Sequence, residues 1–261
     1  MAANAANPAA LAAQPAMRQV LDNTAPLLPG IETIPQTCYT HFRYFSSNGD
    51  RKTYETPYFL KRQALAAMAL RLFLGERLWK PLVQDYLWDI CEETTWVLPA
   101  HERGGDNDLF STETGFMLAS TLHLLGDTLD AEVRARVRFE IEQRIFQPYL
   151  SHPNTYWWYK GYNNWNGVCN GAVACTFLLL EPDLDRVAQA LEIVLAGLDT
   201  FLNIAFEKDG TSTEGVAYWH YGLINLVSLA EMLRARSSGQ IDLYADPRMR
   251  GIAAYPAQRL L

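Results

Sequence analysis

The sequence predicts an all-α protein assembled from helical hairpins, and three observations carry that expectation. Apolar residues recur at helical spacing through most of the chain after Thr56. No segment shows sustained apolar–polar alternation bounded by turn signals, so strands are expected to be nearly absent. Gly and Pro punctuation cuts the periodic region into successive helices, joined alternately by tight turns and longer loops. That pattern suits a bundle, a solenoid or a closed α/α toroid of paired helices.

Taken in order, residues 1–50 read as an irregular N-terminal lead-in with a short helix near Ala16–Asn23, because Pro26, Pro29-Gly30 and Pro35 break any longer element. Residues 51–261 read as the helical domain. Thr56-Pro57 is an N-cap followed by proline at the first helical position. It opens a helix over Tyr58–Leu74, with Leu65, Met68, Ala69 and Leu72 at helical spacing. Helices follow over Lys80–Glu93, Thr112–Leu125 and Leu129–Leu150, the last with Val133, Val137, Ile141 and Ile145 in line. Gly167–Leu180, Asp183–Phe206 and Thr213–Arg236 continue the series, with a turn at Asp209-Gly210 and a helical tail over Asp246–Leu261. The longer loops, Trp96–Asp108, Trp157–Asn166 and Phe206–Gly215, come one helix pair apart, which in a toroid puts them on one rim.

Composition narrows the function. With 261 residues, 49% hydrophobic and 20% charged, the chain can bury a sizeable core. A net charge of -7 and the lack of any Lys/Arg block give no attraction to nucleic acid or an anionic membrane. An anionic ligand would need a local patch. No long uninterrupted apolar run occurs, so no membrane-spanning helix is expected. The Ala-rich Met1–Gln14 segment lacks a basic n-region and does not read as a secretory signal, which leaves a cytoplasmic or a periplasmic setting open. Cys38, Cys91, Cys169 and Cys175 have no metal-ligand spacing and read as buried thiols. No His pair stands at ligand spacing, and neither metal nor cofactor is expected.

Two stretches concentrate unusual chemistry. Trp157–Ala172 sets five aromatics and four asparagines ahead of the apolar Val173–Leu180. Rings stack on pyranose faces while amides reach hydroxyls and carboxylates, so the stretch suits a sugar site. It equally suits a buried helix start whose asparagines satisfy backbone groups. The second stretch is Asp209–Tyr221, where Glu214, Tyr218 and Tyr221 at i, i+4 and i+7 would share one helix face in front of apolar Val216, Trp219, Leu223 and Leu226. That is an acid/base cluster, or a Glu complementing its helix dipole with tyrosines at the rim. His101 and His220 accompany the aromatic loops. Paired carboxylates drawn from Glu92, Glu93, Asp106, Asp108 and Glu214 would instead suit a glycoside hydrolase.

Asn163-Asn164-Trp165-Asn166-Gly167-Val168-Cys169, followed by Asp209-Gly210, Glu214-Gly215 and Tyr218, resembles the heparinase II/III-like polysaccharide lyases, including oligoalginate lyases. The upstream run Cys91-Glu92-Glu93-Thr94-Thr95-Trp96-Val97-Leu98-Pro99-Ala100-His101 is similar to that family too, and the likeness spans roughly Tyr58 to Arg236 in consistent order. The resemblance implies an incomplete α/α toroid, followed in a full-length enzyme by a C-terminal β-sandwich that contributes a further histidine. It also implies β-elimination on an acidic, uronic-acid-containing polysaccharide or oligosaccharide. By the same resemblance Tyr218 matches the catalytic tyrosine, and Asn164, with Asn163 as the adjacent alternative, matches the group that neutralises the substrate carboxylate. His101 resembles a histidine near the cleft. Trp158 and Trp165 would line subsites, and Glu214, His220 and Tyr221 would orient the groups around them.

The chemistry fits those residue types. Taking the C5 proton of a uronate places charge on the neighbouring carboxylate, and a donor aimed at such charge is worth about 3 kcal/mol elsewhere. A tyrosine, with an ordinary pKa of about 10, gives its proton readily to the departing O4 and serves as a base only with help from its neighbours. Alternatives are a glycoside hydrolase on a similar scaffold or a helical domain that binds carbohydrate without turnover.

Overall fold

A computed structural model describes residues 7–28, 33–102, 107–152 and 155–258. Among them the chain is helical throughout, with one isolated β-bridge, Phe206 to Ser212, and no strand. The chain divides into two compact units. One comprises Met1–Gly104 and Met117–Ile141, the other Gly105–Phe116 and Glu142–Leu261.

The first unit holds α1 (Pro8–Ala12), α2 (Pro15–Thr24), α3 (Tyr39–Asn48), α4 (Lys52–Phe73) and α5 (Lys80–Glu92). The second half of α6 (Leu109–Leu125) and all of α7 (Ala131–Ile141) also belong to it. The described residues among the first fifty are more helical than their prolines suggest. The helix expected near Ala16–Asn23 is α2, and α1 and α3 stand in addition to it. Arg71, buried on α4, donates to Thr24 Oγ1 at 3.0 Å and to the Leu21 carbonyl at 2.6 Å, which ties α2 to the unit. The α4 boundary is a correction as well. The helix starts at Lys52, where the Asp50 carboxylate accepts the Thr53 N–H at 3.2 Å, so Pro57 lies inside it rather than at its first position. A proline this near the start removes one ladder bond, and α4 retains the remainder of its length.

A buried ion cluster joins α4 to the end of α5. Glu93 accepts from Lys61 at 2.9 Å and from Arg62 at 2.7 Å, and Asp89 also pairs with Lys61. The Arg62 guanidinium stacks 3.3 Å from the Tyr58 ring centroid, and the Tyr58 hydroxyl donates to the Trp96 carbonyl at 2.7 Å. This cluster accounts for the Glu93–Trp96 segment in structural terms. Glu93→Ala is expected to leave two buried cations short of a partner and to cost about 3–5 kcal/mol, read from the denaturant midpoint.

The second unit begins with the first half of α6. A π-helical turn, Glu142–Phe146, continues α7 into α8 (Gln147–Ser151). A 3-10 turn over Trp157–Lys160 leads to α9 (Asn164–Leu180), α10 (Leu184–Ile204), α11 (Val216–Arg236) and α12 (Pro247–Gln258). Asp183 caps α10 by accepting the Asp185 N–H at 2.9 Å. Nearly every residue of α9 is buried, with α10 antiparallel and α11 parallel beside it. By length and composition α10 would suffice to cross a membrane, contrary to the expectation from sequence. Here it turns Val187, Ala190, Val194, Leu198 and Phe201 inward as an amphipathic core helix does.

The approach of α9 to α11 depends on glycine. A methyl group at Gly171 would lie 2.7 Å from the Asn225 carbonyl carbon, and one at Gly167 would lie 2.7 Å from the Gly222 oxygen. Both neighbours are backbone atoms and cannot swing aside. Gly171→Ala is expected to force the helices apart at a cost of about 1–3 kcal/mol, visible as a lower thermal midpoint.

Candidate functional site

The residues of interest in the second unit gather where α9 and α11 begin. The two helices run parallel, so both N-termini lie at one end, and Asn164 packs against Gly222. Glu214 precedes α11, whose N-cap is Gly215, so it is not on the same helix as Tyr218 and Tyr221 as the spacing suggested. Its Oε2 instead accepts the Asn164 N–H at 2.5 Å. Glu214 thus caps α9 from fifty residues downstream, a task that the side chain of the N-cap residue Asn163 does not perform. Burial raises the Glu214 carboxyl above its ordinary pKa, and the Asn164 bond partly offsets the rise.

The loop bearing Glu214 is held from both sides. Ala205–Thr213 closes a small hairpin, with Glu207 N–H donating to Thr211 at 2.9 Å and Thr213 N–H to Ala205 at 3.1 Å. At its tip Gly210 has φ +89°, and a Cβ there would fall 2.1 Å from the Gly251 carbonyl carbon of α12. Trp219 Nε1 donates to the Ile252 carbonyl at 2.9 Å, a second tie to α12.

The residues singled out by sequence divide by exposure. Tyr218, in the first turn of α11, is 55% exposed. It lies one turn before Gly222, and so on the side of α11 that meets Asn164. Asn164 is itself only 4% exposed, whereas Asn163 is partly exposed and its buried Oδ1 has no hydrogen-bond partner. Trp165 is partly exposed and packs on Trp157 with ring centroids 4.7 Å apart. Trp158 is a correction: its ring is 0% exposed, stacks on Tyr156 and donates from Nε1 to the Asn107 carbonyl at 3.0 Å, so no face is open to a sugar. His220 is exposed but stands about 200° around the helix from Tyr218, on another face. His101, partly exposed in a 3-10 turn over Pro99–His101, belongs to the first unit. Asp106, one of the carboxylates a hydrolase would draw on, lies outside the described residues.

The carboxylate bonded to Tyr221 is Glu113 of α6, which sequence reasoning missed. Tyr221 donates its hydroxyl to Glu113 Oε2 at 2.9 Å, and Asn225 donates to Oε1 at 3.3 Å. Burial raises the Glu113 carboxyl above its ordinary range against the pull of those two bonds, with nearby Asp108 adding to the rise. Burial, then the Glu113 charge, pushes the Tyr221 hydroxyl far above its ordinary value, so it stays a donor. One signal was present: Glu113 is the sole acid in α6. Cys169 lies in the same surroundings, fully buried, with its thiol pushed well up by burial.

The other asparagines form a buried chain whose direction is fixed from one end. Asn166 Nδ2 donates to the Tyr159 carbonyl at 2.7 Å, an oxygen that can only accept. Its Oδ1 must then face Asn170 Nδ2 at 2.7 Å, and Asn170 Oδ1 accepts the Tyr149 hydroxyl at 2.6 Å. These amides serve the fold. Among the described residues, no group of three or more His, Cys, Asp or Glu side chains is placed to hold a metal ion.

No protein-family model matches the chain, and no curated protein matches it.

The raised Glu113 pKa fixes the sign of a pH effect. The folded chain holds this proton more tightly than the unfolded chain, so the contribution is full below the unfolded value, 4.5, and is lost as pH rises through the folded one. The thermal midpoint of the wild type relative to Glu113→Gln should therefore fall as pH is raised from about 4 to about 7. A difference flat across that range would contradict the assignment.

Proposed function

We propose that the chain carries the helical part of a polysaccharide lyase that cleaves uronic-acid-containing chains by β-elimination. The observation that supports it most is the tie between Glu214 and the Asn164 N–H, which gathers exposed Tyr218, the Asn163–Asn164 pair and Trp165 at the shared start of α9 and α11. In this reading Tyr218 protonates the departing O4 as the C4–O4 bond breaks. The C5 proton leaves, to Tyr218 in a syn elimination, and its electron pair forms the C4–C5 double bond. Asn164 or Asn163 donates to the substrate carboxylate, and their exposures favour Asn163. Tyr221, locked to Glu113, acts by holding α11 rather than by moving a proton. His101 enters through the family resemblance alone. So do the incomplete α/α toroid and the C-terminal β-sandwich of a full-length enzyme.

The hydrolase alternative has less support, because three of the five carboxylates it would draw on are engaged in the fold. Glu93 is ion-paired, Asp108 accepts the Ser111 N–H at 2.7 Å and Glu214 caps α9. Tyr218→Phe is expected to abolish formation of the unsaturated, ultraviolet-absorbing product from uronate polysaccharides while ligand binding survives. Turnover at the wild-type rate in that variant would eliminate the mechanism, and a saturated product would point to hydrolysis.

A further inference from the structure

The segment just before α9 carries three side chains, Trp157, Lys160 and Tyr162, that the elimination chemistry does not use. Trp157 is 45% exposed beside fully buried Trp158, and Tyr162 is 70% exposed three positions after buried Tyr159. The backbone between them is not free to fold these rings inward. Trp158 is fixed by its bond to the Asn107 carbonyl, and the Tyr159 hydroxyl donates to the Ile193 carbonyl at 2.6 Å. Gly161 N–H donates to the Trp158 carbonyl at 2.9 Å and closes the 3-10 turn. The indoles of Trp157 and Trp165 meet at 50°, presenting an angled aromatic floor. Lys160 is exposed on the same turn and, among the described residues, pairs with no carboxylate. Asn163 is partly exposed, and its buried Oδ1 sits beside Gly161.

Aromatic surface held in place without burial forgoes the usual gain from removing it from water, and the Trp157–Trp165 pair, with exposed Tyr162 on the same short segment, is surface of the kind that marks a contact site. The neighbours indicate the chemistry. Rigid rings suit the C–H faces of a pyranose, a lone cation suits a carboxylate, and an amide suits hydroxyls. A ligand with an apolar ring face, hydroxyls and one negative charge per unit is an oligouronate. We propose that Trp157, Tyr162 and Lys160, with Trp165 and Asn163, form a preorganised subsite that grips a uronate unit of an acidic oligosaccharide. The choice of a uronate rests on the lyase reading above; the aromatic platform rests on the geometry of the turn.

Calorimetric titration of the full chain with tetrasaccharides of mannuronate, guluronate and glucuronate-containing hyaluronan, and with uncharged cellotetraose, tests this. Saturable binding of at least one uronate is expected, weakened about tenfold or more by Trp157→Ala and by Tyr162→Ala with thermal midpoints unchanged. Lys160→Gln should remove the preference for that uronate over cellotetraose. Wild-type affinity in both ring variants would overturn the proposal, as would no saccharide binding at all or equal affinity for cellotetraose in the wild type. Binding that depends on Trp157 without any unsaturated product would uphold the subsite and sink the lyase reading. Turnover with an unchanged KM in Trp157→Ala would do the reverse.

Discussion

Gly167 and Gly171 let the backbone of α9 lie directly against α11, and the candidate site inherits its geometry from that contact. With no side chain to act as spacer, the two helices have little freedom to slide or roll. Gly222 and Asn225 of α11 face Asn164 and Gly171 of α9 in a fixed register. Because the helices are parallel, the contact also brings both N-termini to one end, where Glu214 satisfies the first turn of α9. The position of Tyr218 relative to Asn163 and Asn164 is thus set by packing well below the surface.

That arrangement divides labour among similar residues. Four of the five asparagines between Asn163 and Asn225 that matter here are committed or buried, and Asn163 alone is partly exposed with an amide oxygen to spare. Of the two tyrosines on α11, Tyr221 is bound to Glu113 and Tyr218 faces solvent. Of two neighbouring tryptophans, Trp158 is the anchor that allows Trp157 to remain outside.

The helical character was legible because apolar periodicity over α5, α9, α10 and α11 is long, and Pro182-Asp183 and Asp209-Gly210 mark the breaks after α9 and α10. The Asp183 cap sits where such a residue should. Three features escaped for physical reasons. The start of α4 was misread because Thr56-Pro57 is locally a good helix start, while Asp50 already supplies one a turn and a half earlier. Glu214 was placed on the α11 face because spacing assumes one continuous helix, and Gly215, at φ +85°, breaks it. The pairing of Tyr221 with Glu113 spans 108 residues, so the lone acid of α6 could be noticed in the sequence but its partner could not. Candidate residues were recognisable by type, but exposure separates Trp157 from Trp158, and neighbouring positions in sequence do not report it.

The polarised chain from Tyr149 through Asn170 and Asn166 to the Tyr159 carbonyl has a consequence for the chemistry around it. Carboxamides pass on a hydrogen bond but do not exchange protons as water or imidazole does. This run of buried amides is therefore an insulator and not a proton wire, and no proton moved at Tyr218 is relayed through it.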